Sequence, residues 1–138
     1  MGLTLIDAGV LIGFLDSDDA HHAGARRQLD AAHRRGDALA IPASAFAEAL
    51  VAPSGAGESA VQAVCDFVDR LPLAVRELDA GIAVVAADVR ARWGQKLRLP
   101  DALVIATAIR LGVEVLVTTD RRWPPAGDLG YHGKMMVL

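Results

Sequence analysis

The sequence predicts an α/β protein in which helices cover both faces of a central parallel sheet of four to five strands. Short apolar segments alternate with longer segments of helical periodicity, which is typical of parallel strands joined by right-handed helical crossovers. The chain has 138 residues, of which 53% are hydrophobic and 22% charged, so it can bury a substantial core. This balance excludes intrinsic disorder, and the single cysteine, Cys65, excludes a disulfide scaffold. We expect one domain over residues 1–138.

The N-terminal half alternates strands and helices, with a recognisable residue at most boundaries. Residues 2–6 predict a buried strand, and the apolar run 10–15 predicts a helix capped by Asp7. Residues 18–35 have helical periodicity and are followed by Gly36. The next predicted elements are a strand over 38–41, a helix from Pro42 to Val51 ended by Pro53, a loop over 54–57, a helix over 61–71 and a strand over 73–78.

The C-terminal half continues the alternation and contains the most apolar helix. Residues 79–93 predict an amphipathic helix with one buried face. Residues 102–109, opened by Pro100 and Asp101, are apolar nearly all round, which predicts a helix packed inside the fold. The last predicted elements are a strand over 114–117, a loop over 123–133 and an edge strand over 135–138.

The sequence predicts neither a signal peptide nor a membrane segment. The first residues lack a basic flank and reach Asp7 early, and no later stretch runs for about 18 apolar residues without a charge. We therefore expect a cytoplasmic protein with no membrane contact. The 14 basic and 17 acidic residues give a net charge of −3, which disfavours binding to nucleic acid by overall charge alone.

Four acidic residues are placed to converge, namely Asp7, Glu48, Asp101 and Asp120. Asp7 and Asp120 follow predicted strands, and ligands of such sheets bind beyond the carboxyl ends of the strands. Converging carboxylates raise one another's pKa unless a cation lies among them. Mg²⁺ or Mn²⁺ prefers oxygen ligands and binds phosphates, so the pattern indicates metal-assisted phosphoryl hydrolysis without a side-chain nucleophile.

Each of these acids also fits a purely structural role. Asp7 and Asp101 stand where helices begin and can act as caps, and Asp120 can be a turn residue. Glu48 lies among apolar residues without a local cationic partner, so it either faces solvent or has a function. Spacing alone leaves these alternatives open.

Three local motifs are more specific than the spacing. Residues 5–12 (Leu-Ile-Asp-Ala-Gly-Val-Leu-Ile), residues 99–108 (Leu-Pro-Asp-Ala-Leu-Val-Ile-Ala-Thr-Ala) and residues 115–120 (Val-Leu-Val-Thr-Thr-Asp) resemble, in that order, the acidic motifs of the PIN domain. Over residues 3–138 the length, the order of elements and the mid-helix Glu48 are similar to VapC-type toxins. The resemblance implies a three-layer α/β/α PIN-like fold.

The resemblance also implies roles for individual residues. Asp7 and Asp101 match the principal metal-binding aspartates, Glu48 and Asp120 match the other two acids, and Thr118 matches a hydroxyl residue that supports the site. The implied activity is Mg²⁺- or Mn²⁺-dependent endoribonucleolytic cleavage of structured RNA such as tRNA or rRNA. The implied partner is a VapB-type antitoxin. The protein would then be bound to DNA only indirectly, through this antitoxin.

The first motif departs from the family pattern. Ala8 and Gly9 stand where the family usually has Thr-Ser or Thr-Asn, so a hydrogen bond that orients a ligand or a bound water is missing. Trp123 stands after the fourth acid, where the family commonly has an aromatic residue, often phenylalanine, so this change is mild. The departure at Ala8 and Gly9 keeps open a catalytically silent module that only binds an antitoxin. A receiver-like signalling domain is disfavoured, because Asp7 has no acidic neighbour and no lysine follows Val117 until position 134.

Basic and apolar residues suggest partner surfaces around this site. Lys96, Arg98, Arg121 and Arg122 flank the acids and are candidate RNA-binding residues, with ordinary solvated charge as the alternative. The apolar C-terminus and the alanine-rich helices after Pro42 and Gly57 suggest a homodimer or an antitoxin contact. We expect His21 and His22 to pack or cap a helix, and Cys65 to be a buried small hydrophobe.

Overall fold

The computed structural model describes residues 2–138, which form five strands and six α-helices. The strands are β1 (Leu3–Ile6), β2 (Ala38–Pro42), β3 (Leu73–Arg76), β4 (Val115–Thr118) and β5 (Lys134–Val137). The helices are α1 (Ala8–Leu15), α2 (His22–Arg35), α3 (Ala43–Ala56), α4 (Glu58–Arg70), α5 (Ala80–Trp93) and α6 (Leu99–Leu111), with short 3₁₀ turns at Gly94–Lys96 and Ala126–Leu129.

The strands form one wholly parallel sheet in the order β3-β2-β1-β4-β5, between two layers of helices. The predicted three-layer α/β/α class is therefore confirmed, with five strands. The chain builds β2 and β3 on one side of β1 and then returns to add β4 and β5 on the other side. This reversal leaves a crevice beyond the carboxyl ends of β1 and β4, which is where ligands bind in open parallel sheets.

The core lies along the central strands and the helix that packs on them. Leu5, Ile6, Leu116 and Val117 are fully buried, as expected for parallel strands covered on both faces. Helix α6 buries residues around most of its circumference, which confirms the prediction of an internal helix. Its N-terminal turn is thereby held rigidly beside the sheet crevice.

Helix boundaries marked by caps agree with the predictions. Asp7 caps α1 by accepting a hydrogen bond from the Val10 N–H at 3.0 Å. Gly36 and Gly112 end α2 and α6 in the left-handed conformation, with φ of 74° and 59°, which glycine adopts without a steric penalty. The predicted C-terminal edge strand is present as β5 and pairs with β4.

Several predicted boundaries are wrong. Helix α3 continues through Pro53 to Ala56 in place of the predicted loop, because the fixed φ of proline is helical and only one backbone hydrogen bond is lost. Helix α2 begins at His22, four residues later than predicted, since the carboxylates of Asp16 and Asp19 hold the preceding segment in turns.

Smaller differences concern the edge of the sheet and one loop. Strand β3 ends at Arg76 rather than at residue 78, because its pairing with β2 stops at Pro42. The predicted loop over 123–133 includes the 3₁₀ turn at Ala126–Leu129. Cys65 is half-buried rather than buried. Every helix within residues 2–138 is too short or too polar to cross a lipid bilayer.

Candidate functional site

Asp7 lies at the crevice between β1 and β4, and four contacts fix its position. Its backbone N–H donates to the Val117 carbonyl at 3.2 Å, and its Oδ1 accepts the Val10 N–H. Its Oδ2 accepts the Thr118 hydroxyl at 2.5 Å and the Thr119 N–H at 3.4 Å. Burial raises the pKa of Asp7 above its ordinary value, while the hydrogen bonds from Thr118 and Val10 act in the opposite direction.

Thr118 connects two of the predicted acids. It is the last residue of β4 and is fully buried. Its hydroxyl donates to Asp7 and accepts the Asp120 backbone N–H at 3.0 Å. The structure thus places Thr118 directly against Asp7, in the position expected of a supporting residue.

Asp101 shows that the predicted acids are neighbours in space. It lies half-buried in the first turn of α6, where the positive end of the helix dipole favours a carboxylate. Its pKa is nevertheless raised, first by burial and then by the charges of Asp120, Glu48 and Asp7. Four residues from distant parts of the sequence therefore act on one another electrostatically at one edge of the sheet.

Glu48 is the most exposed of these acids. It lies on α3 with its side chain in solvent, and its charge still raises the pKa of Asp101. The two sequence-based readings of Glu48 are therefore compatible, since a solvent-facing carboxylate at this position also contributes to the field of the site.

Asp120 differs from the other acids because it forms an ion pair with an arginine side chain. Arg122 donates to it three times, from the backbone N–H at 2.8 Å, from Nε at 3.2 Å and from Nη2 at 3.1 Å. These hydrogen bonds lower the pKa of Asp120. Among residues 2–138, Asp7, Glu48 and Asp101 form no such ion pair.

The donor set fits a hydrated divalent cation better than an ion enclosed by protein. No three His, Cys, Asp or Glu side chains of the described residues lie close enough together to hold an ion by themselves. Mg²⁺ keeps several water molecules and uses only one or two carboxylates together with substrate phosphates. Carboxylates that repel one another and lack counter-ions are the ligands that such an ion requires.

Basic residues line two open depressions on either side of Asp120. The first, of about 320 Å³, is lined by Lys96, Arg98, Asp101, Asp120 and Arg122 together with Gln95 and Pro124. The second, of about 440 Å³, is lined by His21, Thr119, Asp120, Arg121 and Arg122. All of the predicted RNA-binding residues therefore line a depression together with Asp120, and Asp120 and Arg122 line both depressions.

Sequence reasoning missed two residues of the second depression. His21 stands at the N-cap position of α2 without a side-chain capping hydrogen bond and packs against Gly13, and it also lines the depression next to Asp120. Thr119 attracted no attention in the sequence, because its side chain approaches Gly9, which is 110 positions away. His22 does pack as expected, with its Nδ1 at 2.8 Å from the Gly13 carbonyl oxygen.

Comparison with known proteins gives one family match and several structural likenesses. A family model described as PIN domain matches residues 4–128. No protein of curated function matches the chain in sequence. A chain of the Rickettsia felis VapBC2 complex, whose structure includes a DNA fragment from the promoter, has 16% identity and a TM-score of 0.74, with 98% of both chains covered.

Two further solved structures have the same fold. A chain of the DNA-bound VapBC of Salmonella typhimurium has 20% identity and a TM-score of 0.72, covering 99% of this chain and 97% of that one. The Mycobacterium tuberculosis toxin VapC20, described as cleaving the sarcin-ricin loop, has 17% identity and a TM-score of 0.70, covering 97% of this chain and 98% of the toxin. At such identities the likeness establishes the fold.

Proposed function

The chain belongs to the PIN domain family, and from this premise we propose that it is a Mg²⁺- or Mn²⁺-dependent endoribonuclease, the toxin of a VapBC-type toxin–antitoxin pair. We take residues 1–138 as one such domain. The observation that carries the proposal is the electrostatic state of Asp101, a half-buried carboxylate that three other acids repel and that no basic residue pairs with among the described residues.

In the proposed mechanism, Asp7 and Asp101 hold the metal, and Glu48 and Asp120 complete its acidic surroundings. The bound ion supplies Lewis acidity toward phosphate and a water molecule of lowered pKa. Thr118 holds the Asp7 carboxylate in one orientation through its 2.5 Å hydrogen bond, so that Asp7 presents the same face to each ligand. The chain supplies charge and orientation, and needs no nucleophilic side chain.

The basic residues provide the route by which RNA reaches an acidic centre. An acidic cluster repels phosphates, so phosphate contacts must come from the rim. Lys96 and Arg98 line the first depression and Arg121 lines the second, while Asp120 and Arg122 line both. We propose that an RNA strand passes over both depressions, with phosphates bound in each.

The proposed partners are an antitoxin of the VapB type and a second copy of the chain. VapBC complexes are among the structures with this fold, and the chain has apolar side chains that no described residue covers. Val51 on α3 is 70% exposed and Val137 on β5 is 44% exposed. They belong to two of the three regions whose apolar surface the sequence indicated. The proposed compartment is the cytoplasm.

A catalytically silent module that only binds an antitoxin is the second candidate. The observation that favours it is the first motif, where Ala8 and Gly9 carry no hydroxyl or amide after the acid. The acids themselves oppose it, because a module without a metal has no use for carboxylates that repel one another.

Cleavage assays distinguish these two functions. Purified protein is incubated with total RNA, tRNA and a sarcin-ricin loop oligonucleotide, in Mg²⁺, in Mn²⁺ and in EDTA. We expect discrete cuts that require metal and disappear in Asp7→Asn and Asp101→Asn, with Asp128→Asn, an exposed acid outside the site, as the control. Absence of cuts by folded wild-type protein in both metals would reject the nuclease and leave the silent module.

A further inference from the structure

The side chain of Thr119 occupies the space in which residue 9 would otherwise place its own side chain. Gly9 lies in the first turn of α1, two residues after the helix cap Asp7. A Cβ atom built on Gly9 would stand 2.1 Å from the Thr119 Oγ1, and 3.1 Å from both Cβ and Cγ2 of Thr119. Such distances are far below van der Waals contact, so glycine at position 9 and threonine at position 119 fit one another sterically.

Thr119 is also in contact with the central acid of the site. Its backbone N–H donates to the Asp7 Oδ2 at 3.4 Å. Its side chain lines the second depression together with Asp120. The Thr119 hydroxyl has no hydrogen-bond partner among the described residues, so it is free to bind a ligand there.

We propose that Thr119 is a positioning residue whose hydroxyl replaces the polar side chain missing at position 9 and hydrogen-bonds a water molecule of the metal ion held beside Asp7. This inference rests on the proposed nuclease function and specifies how its first motif works. Gly9 then makes room for the Thr119 side chain, and the hydrogen bond to the water molecule is kept. The hydroxyl reaches the same space from the residue that follows β4 instead of from α1.

The primary test measures Mn²⁺ binding in the absence of RNA, by electron paramagnetic resonance of the free ion. Thr119→Val keeps the side-chain shape and removes the hydroxyl, so we expect Mn²⁺ affinity to fall roughly 10-fold, the scale typical of residues that orient metal ligands. Thr119→Ser keeps the hydroxyl and should bind Mn²⁺ within about 2-fold of wild type on the same basis. Thr107→Val, which removes a buried hydroxyl within α6, is the matched control and should not change affinity.

A double-mutant cycle tests the steric part of the inference. Gly9→Ala should lower the melting temperature in the wild-type background, because the new methyl group displaces Thr119. In the Thr119→Ala background the same substitution should raise it, because alanine is the better helix former once the space is empty. Gly9→Ser combined with Thr119→Ala returns a hydroxyl from the other side and should recover the Mn²⁺ affinity lost in Thr119→Ala alone.

Two results would overturn the inference. One is wild-type Mn²⁺ affinity in Thr119→Val, and the other is failure of the Gly9→Ser and Thr119→Ala combination to recover affinity. Asp101→Asn separates this failure from that of the proposed function. If Asp101→Asn abolishes Mn²⁺ binding while Thr119→Val leaves it intact, the metal site stands and only the role of Thr119 is rejected. If neither variant alters Mn²⁺ binding, the metal site itself is rejected.

Discussion

Replacing Thr118 by valine isolates the hydrogen bond that orients Asp7. Valine has nearly the same shape as threonine, so Thr118→Val removes the hydroxyl without opening a cavity. The lost contacts are the 2.5 Å hydrogen bond to the Asp7 Oδ2 and the 3.0 Å hydrogen bond from the Asp120 N–H. Since Thr118 is fully buried, water cannot replace the hydroxyl at this point.

The expected loss of stability follows from these two contacts. A hydrogen bond to a charged group contributes about 1.5–3 kcal/mol, and an N–H left without its acceptor adds about 1 kcal/mol. The extra methyl group of valine offsets about 1 kcal/mol of this cost through its apolar burial. We therefore expect Thr118→Val to lower the free energy of unfolding by about 1.5–3 kcal/mol at pH 8, which is a fall in Tm of roughly 10 °C.

The pH dependence of this loss identifies its cause. Burial already raises the pKa of Asp7, and removal of the Thr118 hydroxyl raises it further. An acid whose pKa is higher in the folded than in the unfolded state binds more protons when folded, so stability falls as pH rises through that range. Because the pKa of Asp7 is higher in Thr118→Val than in the wild type, the difference in stability between the two should widen as pH rises through this pKa.

Urea unfolding at pH 5 and pH 8, followed by circular dichroism in EDTA, measures both effects. Thr107→Val is the control, because its hydroxyl donates to the Leu103 carbonyl at 2.7 Å inside α6 and contacts no charge. It should cost about 1 kcal/mol at both pH values. Thr118→Ser keeps the hydroxyl and should retain the pH profile of the wild type. A loss in Thr118→Val no larger than that in Thr107→Val, or the same at both pH values, would refute this reasoning.

Three further predictions concern the charges of the site. Asp7→Asn removes the buried carboxylate whose pKa is raised by burial, so without metal the fall in stability that the wild type shows as pH rises through this pKa should be smaller in Asp7→Asn; an unchanged pH dependence of thermal unfolding would contradict this. Glu48→Gln should weaken Mn²⁺ binding roughly 10-fold without changing Tm. The control Glu58→Gln, on the exposed start of α4, should change neither Mn²⁺ binding nor Tm. Lys96→Ser combined with Arg98→Ser should leave stability unchanged and lower the slope of RNA affinity against salt by roughly 1.4, for two lost phosphate contacts; an unchanged slope in filter binding would remove these residues from the RNA path.

Elements bounded by local signals could be predicted from the sequence, because their causes lie within a few residues. Asp7 caps α1 through the N–H of Val10, and Gly36 ends α2 in a conformation that favours glycine. The end of α3 could not be predicted in the same way. Pro53 weakens a helix locally, but the next turn still forms, since its fixed φ is helical.

The grouping of the acids could be predicted, because residues that follow the strands of a parallel sheet lie at the same edge of that sheet. Asp7 ends β1, and Asp120 follows β4, which is the neighbour of β1 in the sheet. The pairing of Gly9 with Thr119 could not be predicted, because it depends on the side-chain packing between α1 and the end of β4. The sequence alone shows that residue 9 has no side chain, but not which residue occupies the space.

The different partners of the four acids bear on the proposed metal site. Asp120 is neutralised by Arg122, and Asp7 is stabilised by the Thr118 hydroxyl and by backbone N–H groups. Asp101 has only the dipole of α6 and the more distant charge of Arg98 against three carboxylates, and its pKa is raised as a result. A cation placed beside Asp101 would reverse the effect of burial and repulsion at once, and would lower the pKa of Asp7 as well. Under the proposed function, a divalent ion would supply at Asp101 the positive charge that these partners do not.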